Sequence, residues 1–509
     1  MAASIKPRVE RLVALPAVLA GAVLLRLIAG VGFANYDTLY ALSWGGQLAR
    51  GELPAYELPI APTPHPLVEA LGVVLYPLGP RATEDVVVWL GFVALAACGW
   101  VVYRLAALWF GRAAGLLAAL ILLTRVPIIS YGVRAYVDVP YLLFVLSAVL
   151  VEAHRYAVGR RPAGAPVLAL LALAGLLRPE AWAFSGVYWL YVVVYERRSE
   201  TRTSEAPPPA GEQDLAKAPT TAQPPRSRRA LAGLTLLAAA APLVWVLSDL
   251  AIAGDALWSL TNTRHTAHTL ARVTGIANVP EYVPRRIGEI LRPPVLVGAA
   301  LGGLLSLSWL RARAIGGALA GLLAVVVFIA VAAAGLPINT RYGFLTASIL
   351  CVFCGAGVFG WTRLAADDAH RRWWMAGGAM VLVALIAFAP SQYKSAHREL
   401  DKLARQQSIQ NDLLALVRNR SINLRCGPVE VPNHAPVPLL ALHLKTSPAN
   451  VVSGQSSTIE DGVYVDPASK EVEQDYVLDP RDLHRAVNVP PGFLETHANR
   501  SWLIFQHCA

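Results

Sequence analysis

The stretch Tyr36-Asp37-Thr38-Leu39-Tyr40 follows directly on an apolar run at residues 12–33. Asp37 is the first carboxylate beyond that run. It opens a polar segment that continues through Trp44 and Gly51 to Pro64-His65-Pro66. Crossing a hydrocarbon core takes roughly 20 apolar residues. The run at 12–33 meets that length, so Asp37 reads as the first acidic group to emerge at a membrane surface. The same alternation of apolar run and polar connection repeats as far as residue 390.

Composition agrees with that reading. Of 509 residues, 55% are hydrophobic and 15% charged, and the mean hydropathy is +0.47. A soluble domain of this size rarely looks like that. The expected fold class is mainly α: a polytopic transmembrane helical bundle with a small C-terminal α/β extracytoplasmic domain. About eleven spans fit the length requirement. They run over 12–33, 85–108, 113–131, 136–154, 164–178, 181–196, 230–252, 294–310, 314–335, 342–362 and 373–390. Residues 66–79 are apolar but short and bounded by prolines, an interfacial segment or partial span. Lys6, Arg8 and Arg11 precede the first run and no small-residue cleavage site follows it, so it reads as an uncleaved span.

Lysine and arginine in the short connections set the orientation. With the N-terminus in the cytoplasm, the cytoplasmic connections carry Arg104 and Arg112, then Arg155, Arg160 and Arg161. The later ones carry Arg197, Arg198, Arg226, Arg228 and Arg229, then Arg311 and Arg313, then Arg363, Arg371 and Arg372. Within 197–229 the Pro-, Ala- and Thr-rich centre cannot build a core, so a disordered cytoplasmic linker is expected. The connections 34–84, 132–135, 178–180, 254–293 and 336–341 face outward. Residues 1–390 then form the transmembrane unit and 391–509 an extracytoplasmic domain. That domain opens with an amphipathic helix at 391–420 and holds strand-like runs at Val463–Val465 and Ser501–Gln506. The whole is a multi-pass protein of the plasma membrane.

The net charge is +10, and only six of the 44 basic residues are lysine. Membrane orientation accounts for most of this balance, so nucleic acid is not read as a partner. Arginine also suits phosphate, because its planar fork meets two oxygens at once. Cys98, Cys351 and Cys354 lie in apolar runs, where cysteine packs as a small hydrophobe. Cys426 and Cys508 fall in the polar C-terminal region. An extracytoplasmic setting allows a disulfide between them, and spacing alone leaves the pairing open.

Each outward connection places charged or aromatic residues beside a helix end. The first has Asp37, Tyr40, Trp44 and His65; the next has Arg134, Tyr136 and Asp138. Arg178 and Glu180 follow, then Arg264, His265, His268, Arg272, Arg285 and Arg286, then Asn339, Thr340, Arg341 and Tyr342. Ionisable groups at a membrane boundary are costly and usually face a cavity. Arginines converging on one pocket would bind an anion, which in a bilayer means a lipid phosphate. A carboxylate beside it could take a proton from an acceptor hydroxyl, while arginine stabilises charge on the leaving phosphate.

These pieces resemble the GT-C superfamily of polyprenyl-phosphate-sugar-dependent glycosyltransferases, which includes protein O-mannosyltransferases and the aminoarabinose transferase of lipid A. The resembling pieces run in order over residues 10–390. They are Arg26, Tyr36-Asp37-x-x-Tyr40, Gly51, His65-Pro66-Leu67, Arg134 through Pro140, Leu177-Arg178-Pro179-Glu180 and Arg341-Tyr342. The resemblance implies an inverting single displacement at the outer face, with Asp37 as catalytic base. Arg178, Arg341 and Arg134 then hold the donor phosphate. Tyr40, His65, Asp138, Glu180, Arg264, His265 and Tyr342 surround the substrates. The implied partners are a polyprenyl-phosphate sugar, a hydroxyl-bearing acceptor and the bilayer. Many members carry two adjacent acidic residues where this chain has Asp37-Thr38. That leaves one candidate base and weakens the case for a metal bridged by paired carboxylates. No cofactor is assigned, and a divalent metal stays open, although no His/Asp/Cys spacing points to a site.

Structural readings stand beside these. Asp37 could cap a helix starting at Thr38. Arg134 and Asp138 are spaced as an i,i+4 pair on one helix face. Arg178 and Arg341 could be boundary anchors, His65 a loop-packing residue, and Arg264 and His265 part of a solvated loop. Arg26 needs a partner, for which a carboxylate is expected. Two other functions compete. A lipid-linked-sugar transporter or flippase predicts inverted repeats and midplane polar groups, and no repeat is visible. A structural envelope-assembly protein predicts that removing residues 395–509 destroys function.

Overall fold

The structure, a computed structural model, describes residues 7–205, 226–477 and 488–508. Ten of the eleven expected spans fall on a single helix, and 113–131 falls on two. The chain begins with α1 (Pro7–Ala29), α2 (Tyr36–Ala49), α3 (Pro66–Leu75), α4 (Pro80–Phe110) and α5 (Arg112–Leu123). It continues with α6 (Val126–Val133), α7 (Asp138–Ala157), α8 (Ala165–Leu177), α9 (Ala181–Glu205) and α10 (Arg228–Ala253). Then come α11 (Trp258–Thr269), α12 (Val279–Trp309), α13 (Arg311–Ala333), α14 (Phe344–Phe359) and α15 (Ala369–Arg418).

Seven helices among the described residues are long and apolar enough to cross a membrane, and the α5–α6 pair, bent by 65°, makes an eighth. This is fewer than the spans expected from hydropathy. Val13–Ala29 and Ala165–Leu177 are apolar but shorter; at 1.5 Å per residue, α8 reaches only about 20 Å. The expected linker is partly helix, because α9 runs on to Glu205. Its centre, 206–225, lies outside the described residues. Segment 254–293, expected as a loop, holds α11 and the first half of α12. The amphipathic stretch after residue 390 is the continuation of α15, which runs unbroken for 50 residues.

Small residues let the central helices close on one another. A Cβ at Gly302 of α12 would collide with the Phe353 carbonyl of α14, and one at Gly357 with the Gly298 carbonyl. This is the contact that small residues permit between apolar helices, where no hydrophobic force distinguishes protein from lipid.

After α15 the chain builds β1 (Val429–Val431), α16 (Val437–Leu444), β2 (Val451–Ser453), β3 (Gly462–Pro467), β4 (Leu494–Ala498) and β5 (Trp502–His507). The sheet order is β2-β1-β3-β5-β4. The β1 pairs are parallel, and the β3–β5 and β4–β5 pairs antiparallel. Both strand-like runs read from the sequence fall in this sheet. A disulfide joins Cys426, before β1, to Cys508, after β5. Leu39, Tyr40 and Trp44 of α2 share one apolar core with Val429, Val463 and Trp502 of the sheet and Leu413 of α15. The first polar connection is therefore clamped between the bundle and the C-terminal domain.

Candidate active site

Asn35, not Asp37, caps α2. Its Oδ1 accepts from the backbone N–H groups of Asp37 (2.8 Å) and Thr38 (3.3 Å). Asp37 therefore lies in the first turn, where the helix dipole favours its negative charge. The Asn35 amide donates to the Arg134 carbonyl (3.1 Å) and the Thr38 hydroxyl to the Ala135 carbonyl (2.8 Å). These bonds fix the start of α2 against the α6–α7 turn. That turn breaks the helical register at Ala135, with φ 50°. Arg134 and Asp138 consequently belong to different helices and form no i,i+4 pair.

Asp37 instead accepts from Arg341 Nη1 at 2.9 Å. The same nitrogen lies 3.9 Å from Asp138 Oδ2. Asp138, 2% exposed at the first turn of α7, is hydrogen-bonded through Oδ1 by Arg178. Arg178 grips Glu180 with two nitrogens, at 2.8 and 3.2 Å. The Tyr342 ring covers the Arg178 guanidinium at 4.5 Å. Glu180, Arg178, Asp138, Arg341 and Asp37 thus form one chain of alternating charge, drawn from four separate connections.

Burial pushes the Asp37 carboxyl up, but Arg341, with His65 beyond it, outweighs this and holds it below the usual carboxylate range. Burial drives the His65 imidazole down to about 4, and Arg178 and Arg341 add to this against the pull of Asp37. His65 is therefore neutral at pH 7. Its backbone N–H donates to Glu69 Oε1 (3.2 Å), while Tyr56 donates to Glu69 Oε2 (2.6 Å). Tyr36, Tyr40, Trp44 and Tyr56 pack in a row of edge-to-face and tilted pairs, with centroids 5.0, 5.2 and 4.8 Å apart. Each such pair adds about 1 kcal/mol beyond its area, which favours the packed setting of the loop around Asp37.

A cavity of about 770 Å³ opens above these groups. Asp37, His65, Arg134, Arg178, Glu180, Arg341 and Tyr342 line it. Asp138 lies behind the wall. Tyr40 is 1% exposed and belongs to the aromatic row, not the cavity. Arg264 and His265 also fall outside it. α11 turns Thr263, Thr266 and Ala267 inward and leaves both exposed, with Arg264 donating to the Ala334 carbonyl at 2.6 Å. Arg26 finds an aromatic face, 5.7 Å above Phe92, and among the described residues no carboxylate pairs with it. Trp182 and Trp245, with rings 5.9 Å apart, also line the cavity, as do Lys402, Gln410, His434 and Tyr476. Apolar runs hide two of these in plain composition, and the others lie beyond residue 390. Among the described residues no group of three or more His, Cys, Asp or Glu is arranged to hold a metal ion.

Arg134 has a different setting from Arg178. It donates to Ser130 Oγ (2.9 Å) and the Ser130 carbonyl (3.2 Å) and lies over the Tyr136 and Tyr131 rings. Among the described residues no carboxylate pairs with it.

This arrangement of helices and C-terminal domain recurs in solved structures. ArnT from Cupriavidus metallidurans bound to undecaprenyl phosphate superposes with a TM-score of 0.53 at 12% identity, over 96% of this chain and 97% of that one. The apo state of the same protein gives 0.52 at 13% identity, over 98% of each chain. The fold is GT-C. The archaeal oligosaccharyltransferase AglB from Archaeoglobus fulgidus, in complex with an inhibitory peptide and a dolichol-phosphate, gives 0.47 at 12% identity over 92% of this chain and 70% of that one. No protein-family model and no curated protein matches the sequence. Within the GT-C fold the departure at Thr38 has a local cause. Its side chain is 1% exposed and donates to a carbonyl, a place where a second carboxylate would face an acceptor.

Proposed function

We propose that this chain is a membrane-embedded glycosyltransferase that moves a sugar from a polyprenyl phosphate to a hydroxyl acceptor at the extracytoplasmic face. The supporting observation is Asp37, kept ionised on the wall of a cavity beside guanidinium groups, in a fold shared with ArnT bound to undecaprenyl phosphate.

In the reaction, the acceptor oxygen attacks the anomeric carbon while Asp37 takes the hydroxyl proton. The bond from that carbon to the phosphate oxygen breaks, and its electron pair leaves on the polyprenyl phosphate. A single displacement inverts the anomeric centre. Arg134, free of carboxylates, and Arg341 stabilise the departing phosphate. Arg178, held on both sides, positions Arg341 through Asp138 in place of the phosphate contact expected from sequence. A lowered pKa keeps Asp37 ionised and ready at neutral pH but makes it a weak base, so the proton must move late, as the anomeric carbon gains positive charge.

The test is incubation of the purified protein with a panel of polyprenyl-phosphate sugars and mass spectrometry of the products. Transfer is expected with the wild type. Asp37→Asn is expected to lose at least about a hundredfold in kcat, the usual contribution of a general base, with an unchanged melting temperature. Full turnover by that variant would remove Asp37 from the mechanism.

A further inference from the structure

We propose that the face of α15 carrying Lys394, Arg398 and Lys402 binds the phosphate of a polyprenyl phosphate at the membrane surface and leads it to the cavity. The proposal rests on the glycosyltransferase reading and adds a docking path outside the reaction site. Along α15 the apolar side chains Met380, Val383 and Ile386 are exposed, and Tyr393 is exposed after them. Exposed apolar residues ending in an aromatic mark where a helix leaves the hydrocarbon. The basic residues begin at the next position.

Lys394, Arg398 and Lys402 recur every four residues, so they share one helix face, each about 6 Å above the last. All three are exposed. Among the described residues none of them has a hydrogen bond or an ion pair. The neighbouring charges are engaged elsewhere. Glu399 accepts from Ser130 (2.7 Å), Asp401 lies 3.8 Å from His397, and Arg405 pairs with Asp475 (3.0 Å).

Lys402 lines the cavity, so the ladder ends at its wall, with Arg398 and Lys394 about 40° and about 80° round the helix from it. The helix is continuous through the span and beyond it, so the ladder keeps its register from membrane surface to cavity. Two of the chain's six lysines stand on it. Their position beside a span, at the same end as Asp37, runs against the usual enrichment of lysine and arginine at the opposite end. A cationic ladder beside a bilayer attracts anionic headgroups within a Debye length. An undecaprenyl-type phosphate diffusing in the outer leaflet meets Lys394 first and Lys402 last.

The experiment uses the full chain in nanodiscs of zwitterionic lipid and measures binding of undecaprenyl phosphate by titration. K394E/R398E is expected to weaken binding at least about tenfold, and the difference from wild type is expected to vanish near about 0.5 M salt. The charge-keeping K394R/R398K is expected to bind like the wild type, with all melting temperatures alike. Phosphatidylglycerol, whose diester carries one negative charge against the roughly two of a phosphate monoester, is expected to compete less well, and inorganic phosphate, which does not partition into the bilayer, poorly. Wild-type affinity in K394E/R398E, or equal competition by phosphatidylglycerol or inorganic phosphate, overturns the assignment of this face to the carrier. Failure of the wild type itself to bind undecaprenyl phosphate counts against the glycosyltransferase reading as well.

Discussion

Arg178 is 5% exposed, with Asp138 on one side and Glu180 on the other. Releasing either carboxylate to meet a phosphate would leave a buried charge uncompensated, which costs several kcal/mol. Arg178→Lys keeps the charge but loses the fork that holds both partners. It is expected to lower kcat about tenfold, equivalent to roughly 1.4 kcal/mol, with the donor KM little changed. A raised KM with normal kcat would restore Arg178 as a phosphate ligand. His65 carries a second residue-scale consequence. Its folded-state value near 4 lies below the ordinary 6.5, so between those values the unfolded chain binds a proton that the folded chain refuses. Stability therefore rises with pH from 4 to 6.5, by up to about 3 kcal/mol. His65→Gln is expected to flatten that part of the stability profile in thermal melts across the same range. Residue types at this site were legible in the sequence, because charged groups beside helix ends are conspicuous. Their pairings were not. The i,i+4 reading of Arg134 and Asp138 assumed a continuous helix, and the positive φ of Ala135 breaks it.

Hydropathy located the apolar helices, because lipid demands apolar side chains whatever the packing, but it expected more spans than the helix lengths allow. It could not show where spans bend. α5 and α6 meet at Thr124-Arg125, and α12 breaks at Arg292, with φ 66° before Pro293-Pro294. Each break frees carbonyls that lipid cannot satisfy. Arg125, 6% exposed, answers both: it donates to the Ile121 carbonyl at 3.0 Å and to the Leu291 carbonyl at 2.9 Å. A cation at two helix C-termini is also favoured by their dipoles. Arg125→Met fills the volume but strands those carbonyls. It is expected to destabilise the protein by about 3 kcal/mol or more, read as a lowered melting temperature in detergent. An unchanged melting temperature would mean that the breaks are satisfied without Arg125. In the sequence Arg125 falls inside the span expected at 113–131, with nothing beside it to mark the break.

Taken whole, the molecule joins its first connection to its last domain, and this changes what truncation can test. Tyr40 and Trp44 share their core with the C-terminal sheet, and Glu84 of α4 meets His443 of α16 at 3.1 Å. Removing residues 395–509 would expose that core and release the start of α2 from its setting. Loss of activity on truncation therefore follows from an enzyme as readily as from an envelope-assembly role. That coupling was illegible in the chain, because residues about 400 positions apart carry no joint pattern in sequence. A point change separates the two functions where truncation cannot. Gln410, His434 and Tyr476 are the cavity-lining residues that the C-terminal domain supplies, and the His434 ring lies 5.4 Å from that of Tyr36, the neighbour of Asp37. His434→Ala is expected to raise the acceptor KM several-fold while leaving the donor KM and the melting temperature unchanged. A variant that alters donor KM alone would move the acceptor to the other side of the cavity. One that leaves both constants untouched would reduce the C-terminal wall to a scaffold for α2.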